Sequence, residues 1–224
     1  MPEERGSTRV WVYARQFYIV DPDLGTDQAP DIADAGNGLI AVGEDGASVL
    51  TGLTLGPVEV IVTTHTSEPP PHDGDWDEVV ETSFTSTTGS ALVTSWEDGE
   101  AEDLPDLAAA GPGSYRLRVH TRGRDEGRAK DSLGPDDATV EAYVIQVWPA
   151  PATGERIIRQ TDQAGTEWRQ LQKINGSAAP GGGPVRAAVL LAAHVTDRPG
   201  GCDDAALLAR AGGQPRRSVD CVAA

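Results

Sequence analysis

The sequence predicts an all-β protein: an antiparallel β-sandwich of about eight strands, with jelly-roll-like or Greek-key connections and a closed barrel as the alternative, followed by a poorly structured C-terminal tail. Three observations predict it. Apolar and polar residues alternate in short runs, most regularly in Gly113–Gly123, where Tyr115, Leu117, Val119 and Thr121 alternate with Arg116, Arg118, His120 and Arg122. Turn-forming Gly, Pro, Asn and Asp clusters separate such runs at roughly ten-residue intervals. No segment between the runs carries a helical period, which argues against an α/β fold.

In chain order, residues 1–7 are polar and expected to fray. Thr8–Val20 is rich in β-branched and aromatic residues and reads as a first long strand. Asp21–Asn37 carries Pro22, Pro30 and repeated Asp, and reads as a loop ending in the Asn37–Gly38 turn signal. Strands follow at Leu39–Val42, Ala47–Thr51 and Val58–Thr64, the last with Val58, Val60 and Val62 on one face. Ser67–Asp75 is a proline-rich loop that can be neither helix nor central strand. Alternation resumes over Trp76–Ser86, and Ala91–Trp96 is a short strand.

Glu97–Asp106 is an acidic loop, and Leu107–Ala110 reads as a single helical turn. The basic-faced strand Ser114–Arg122 comes next. Gly123–Asp137 reads as a mobile charged loop, and Ala138–Trp148 is the last clear strand. Arg156–Asp162 and Thr166–Ile174 read as a strand pair or a short helix beside the sandwich. An acidic β-sandwich domain is therefore expected over residues 1–174. Residues 175–224 are rich in Gly, Ala and Pro and read as a low-complexity tail, loosely attached or disordered.

Charge is distributed unevenly. The chain of 224 residues has a formal net charge of −17. From Gln16 to Tyr115 there are twenty Asp or Glu and no Lys or Arg; from Arg116 to Lys130 there are five Arg and one Lys. Residues 1–155 carry net −20 and residues 156–224 net +3. Such acidity opposes non-specific binding to nucleic acid or to an anionic membrane, because like charges repel. It suits a basic partner, and it also serves plain solubility.

The start lacks the charged and apolar regions of a signal peptide, and no apolar run approaches the ~20 residues that span a bilayer. The expected location is the cytoplasm. Cys202 and Cys221 suggest no disulfide framework. Arg outnumbers Lys sixteen to two, a bias of GC-rich bacterial genomes.

No nucleophile elbow, zinc-protease helix, phosphate loop, dinucleotide fingerprint or CxxC pair is present. No catalytic residue, resident cofactor or metal is therefore assigned. The loop from His72 to Asp77 mixes imidazole and carboxylate, which makes a metal-dependent enzyme one alternative. A ligand- or carbohydrate-binding module is another, provided Trp11, Trp76 or Trp96 lies exposed. The face Arg116, Arg118, His120 and Arg122 has two readings. It is an anion or acidic-partner strand, or its arginines pair with the protein's own carboxylates on neighbouring strands, for example Glu141.

The order of motifs resembles the competence protein J family, small bacterial β-sandwich proteins that inhibit a DNA-entry nuclease. The matching residues are Gln16-Phe17, Gly38-Leu39-Ile40, Val79–Ser83, Leu104-Pro105 followed by Gly113-Ser114-Tyr115-Arg116-Leu117, and Tyr143-Val144-Ile145. They cover roughly residues 8–150, with residues 106–112 as an insertion and Asp125–Asp137 as a longer loop. The resemblance implies a sandwich fold and a binding role. The resulting expectation is an inhibitor- or immunity-type protein that holds a basic partner, such as a nuclease or toxin, on an acidic surface. The candidate contacts are Asp73, Asp75, Asp77, Glu97, Asp98, Glu100 and Glu102.

Overall fold

Eleven strands form one hydrogen-bonded sheet in the computed structural model, which describes residues 3–96 and 99–177. The strands are β1 (Arg5–Tyr13), β2 (Gln16–Val20), β3 (Ile40–Val42), β4 (Gly46–Leu50), β5 (Leu55–Thr64), β6 (Glu78–Ser86), β7 (Leu92–Ser95), β8 (Gly99–Glu100), β9 (Gly113–Arg122), β10 (Ala142–Pro149) and β11 (Arg156–Gln160). Two helices join them, α1 (Arg124–Lys130) and α2 (Gln163–Ser177). Nine strands follow the order β11-β6-β9-β10-β5-β1-β2-β4-β3; β7 pairs with β2, and β8 with β7. The sheet is mixed and curls into a half-barrel. The chain is thus mostly β, as the alternation predicts.

The architecture corrects the expectation of a purely antiparallel sandwich. β10 lies parallel to β5, with Tyr143 opposite Val60. β5 and β10 are far apart in sequence, so a parallel pairing between them needs a crossover, and β6 and β9 lie within that connection. Alternation reports which face of a strand is buried. It does not report which strand lies alongside or in which direction.

The curl encloses the core. Val10, Val12, Phe17, Ile19, Val58, Val60, Val62, Val80, Phe84, Leu117, Val119, Tyr143, Ile145 and Val147 fill the inner face. Val58, Val60 and Val62 are each fully buried. Burying such side chains stabilises the fold by about 1.5–3 kcal/mol apiece. Leu104, Leu107 and Ala108 close the inner side, where the Tyr115 hydroxyl donates to the Ala108 carbonyl at 3.0 Å.

The first predicted strand is in fact a hairpin. Tyr13 pairs with Gln16 across a two-residue turn in which Ala14 (φ 53°) and Arg15 (φ 68°) are both left-handed. Tight hairpins favour positive φ, usually supplied by Asn or Gly. Ala-Arg carries no such signal, so the turn was invisible in sequence. The Asp21–Asn37 segment contains two short 3-10 turns, Thr26–Gln28 and Ile32–Asp34.

Residues 124–130, expected within a mobile loop, form α1. The turn into it requires Gly123 (φ 82°), where a Cβ would also overlap the Val140 carbonyl. Asp125 of α1 accepts from the backbone N–H groups of Gln163 (2.9 Å) and Ala164 (2.8 Å), and Asp162 from that of Gly165 (2.9 Å). Those carboxylates satisfy the orphan donors at the start of α2. The predicted C-terminal tail lies, from residue 178 on, outside the described residues.

Candidate functional site

The basic face of β9 turns out to be interior. Arg116, Arg118 and His120 are 4%, 1% and 1% exposed. Glu81 stands directly opposite Arg118 on β6. One of its oxygens accepts from Arg116 at 2.8 Å and the other from Arg118 Nε at 3.0 Å. Burial alone would raise the Glu81 carboxyl; the hydrogen bonds and charges of the two guanidinium groups outweigh it and hold it below the usual range.

The proline-rich loop covers this face. Arg118 donates to the Pro69 carbonyl at 2.8 Å and to Glu68 at 2.8 Å, and Gln146 donates to the Pro70 carbonyl at 3.1 Å. Prolines offer carbonyls without N–H groups, so they satisfy donors without adding one. Arg118 also lies 4.9 Å from the Trp148 ring centre.

His120 Nε2 accepts from the His72 backbone N–H at 3.2 Å, and its Nδ1 lies 3.3 Å from the Val144 carbonyl. Burial pushes its pKa down to about 4, so it is neutral near pH 7. Three of the four residues expected to receive an acidic partner are therefore enclosed and bonded internally. Arg122 is exposed and stacks 5.2 Å from the Trp76 ring centre.

The arginines do pair with their own chain's acids, but through Glu81 and Glu68 rather than Glu141. Glu141 points elsewhere. It accepts from the backbone N–H groups of Gly52 (3.0 Å) and Leu53 (2.5 Å) and from the Tyr143 hydroxyl (2.6 Å).

A second charge network went unread in the sequence. Arg124, wholly buried, donates through Nε to Asp162 at 2.6 Å and through Nη1 to the Gly38 carbonyl at 2.8 Å. Its Nη2 lies 3.0 Å from Glu78 Oε2, an ion pair whose angles miss hydrogen-bond geometry. Arg169 of α2 reaches the other Glu78 oxygen at 2.9 Å. Burial, with Asp162 beside it, raises Glu78 to about 7 against the pull of Arg124.

Asp162 moves the other way. Burial opposes its ionisation, but the Arg124 charge prevails and lowers it. The sequence did hold one signal: Glu78 shares the core-facing phase of β6 with Val80 and Phe84. An acid in an apolar phase needs an internal cation.

The exposed acids lie in two separate places. Asp73 and Asp75 are exposed; Asp77 is half-buried and accepts from the Gly123 N–H at 2.9 Å. This loop packs beside Trp76 and His120, outside the sheet. Glu100 and Glu102 are exposed on the β8 side. The neighbouring Asp103 accepts from Thr8 of β1 at 3.4 Å. β9, β10 and β5 lie between β6 and β1, so the two acid groups are distinct patches. Glu97 and Asp98 lie outside the described residues. Among the described residues, no Lys or Arg makes an ion pair with Asp73, Asp75, Asp77, Glu100 or Glu102, and no three His, Cys, Asp or Glu converge as a metal site. No helix among them is long and apolar enough to cross a membrane.

Fold and site together define a mostly β protein with arginines bonded inside and carboxylates displayed outside. No family model matches the chain, and no curated protein matches it. Among solved structures, the chain is similar to the protein of crocagin biosynthetic gene J, at 15% identity and a TM-score of 0.43. It is similar also to ComJ of Bacillus subtilis, inhibitor of the DNA degrading activity of NucA, at 14% identity and a TM-score of 0.44. Each likeness covers 67% of this chain and 100% of the other. The family resemblance read from the sequence thus reappears as a weak structural likeness, which assigns no activity.

Proposed function

We propose that this chain is a non-catalytic binding protein of inhibitor or immunity type, which engages a basic protein such as a nuclease through its exposed carboxylates. The observation that carries the reading is the segregation of charge. Arg116, Arg118 and Arg124 are consumed by Glu81, Glu68, Glu78 and Asp162, while Asp73, Asp75, Glu100 and Glu102 face solvent. These internal pairs cancel one another, so the net charge of −17 is expressed by carboxylates at the surface. Their field steers a basic surface toward the protein and raises its on-rate. A cytoplasmic setting is part of this reading.

The test is co-elution of the purified full chain with a nuclease of high isoelectric point, at low and high salt. Cleavage of plasmid DNA is followed in parallel. Support would be a complex that forms at low salt, slows cleavage and dissociates at high salt. Retention that ignores salt, or that survives neutralisation of Asp73, Asp75, Glu100 and Glu102 to their amides, contradicts the reading.

A further inference from the structure

We propose that the outer face of β2, β7 and β8, centred on Trp96, is the docking surface for an arginine-bearing segment of the basic partner; this rests on the binding role proposed above. Trp96 is 57% exposed, more than any other large apolar side chain among the described residues. Registers gather its neighbours. Tyr18 of β2 pairs with Thr94 of β7, which puts both on one face, where they are buried beneath the surface; Trp96 follows β7 directly. Thr94 pairs with Glu100 of β8, so that carboxylate shares the face. The Trp96 and Tyr18 rings lie 6.5 Å apart, tilted by 52°.

The patch continues across the hairpin. Tyr13, 44% exposed, pairs with Gln16, whose amide donates to the Tyr18 hydroxyl at 2.7 Å. Burial pushes that hydroxyl up.

Among the described residues, no Lys or Arg makes an ion pair with Glu100 or stacks on Trp96. β2, β7 and β8 lie within the span that has no Lys or Arg. The nearest arginines in sequence are directed away: Arg15 to the Gly52 carbonyl and Asp131, Arg9 to the Asp137 carbonyl. An exposed indole beside a carboxylate recognises a guanidinium, by ring stacking and by charge-assisted hydrogen bonding at once. The protein already uses that pairing twice within itself, Arg118 on Trp148 and Arg122 on Trp76. At Trp96 the aromatic half is present and no Lys or Arg among the described residues stacks on it; that place is left to a partner.

The test titrates the nitrogen-15-labelled full chain with an arginine-only peptide, a lysine-only peptide and a neutral oligosaccharide. It follows the indole N–H resonances, with Trp96 identified through Trp96→Ala. The expected result is a saturable shift of the Trp96 indole with the arginine peptide, smaller with lysine and absent with sugar. Trp96→Ala weakens binding about tenfold, as truncating an aromatic anchor does. Trp96→Tyr recovers part of it, and Glu100→Gln costs several-fold. A peptide that binds while shifting Trp76 and not Trp96 overturns the site and leaves the acidic-surface reading standing. Equal small shifts everywhere, or a Trp96 shift with sugar alone, also overturn the site. An absence of saturable peptide binding at low salt removes both proposals.

Discussion

Glu78 and Glu81 lie three residues apart on β6, both are buried, and their acidities move in opposite directions. Glu81 faces outward from the core and holds two guanidinium groups, sharing Arg118 Nη2 with the solvent-exposed Glu68. It is held ionised. Glu78 faces inward and shares Arg124 with Asp162, which already holds that guanidinium at 2.6 Å. It is raised to about 7. Burial opposes both charges and weighs more on Glu78, which is fully enclosed. The partners add to the difference: the hydrogen bonds and charges of Arg116 and Arg118 outweigh burial at Glu81, while at Glu78 the second acid Asp162 adds to burial and Arg124 does not outweigh the two.

The largest expected effect comes from removing the shared cation. Arg124→Met leaves Glu78 and Asp162 buried with only Arg169 nearby, and destabilisation of about 3–5 kcal/mol is expected in urea unfolding. A loss below about 1 kcal/mol would show that the network relaxes or takes up water. Glu81→Gln comes next, at about 2 kcal/mol, because Arg116 keeps Ser83 Oγ and the Thr153 carbonyl while Arg118 keeps Glu68 and the Pro69 carbonyl. If it equalled the Arg124 variant, the contrast between the clusters would vanish.

The pH dependence separates the two carboxylates by sign. Glu78 titrates at about 7 in the fold against 4.5 outside it. Its contribution is complete below 4.5 and is lost as pH rises through about 7. Glu81 sits below 4.5, so its contribution is present above that value and is lost as pH falls through the native one. Between about pH 5 and pH 8, the wild type should therefore lose stability relative to Glu78→Gln, with no such drift relative to Glu81→Gln. Parallel stability curves for wild type and Glu78→Gln would refute the assignment. The smallest effect belongs to Glu68→Gln. Its carboxylate is 57% exposed, and its pair with Arg118 is expected to contribute less than about 1 kcal/mol in the same unfolding assay.

Strand positions were legible because alternation needs no knowledge of neighbours. Val58, Val60 and Val62, or Tyr115, Leu117 and Val119, announce a buried face in one short window. The two hairpin residues Ala14 and Arg15 were not legible, since their positive φ comes from the pairing of Tyr13 with Gln16 rather than from their own preference. The basic face of β9 was legible as a face and misleading as a surface. Its concealment depends on a loop some fifty residues upstream, where Pro69 and Pro70 lay their carbonyls over Arg118 and Gln146.

Chain chemistry alone set the strand content, the negative charge and the reversal of sign at Arg116. These are properties of composition and short-range period, and they survive any rearrangement of the strands. Which acid each arginine meets, which glutamate is made the weaker acid and which tryptophan faces water were fixed by packing. They turn on contacts between residues far apart along the chain, such as Arg124 with Gly38 and Asp162, and no local pattern encodes a distance of that kind.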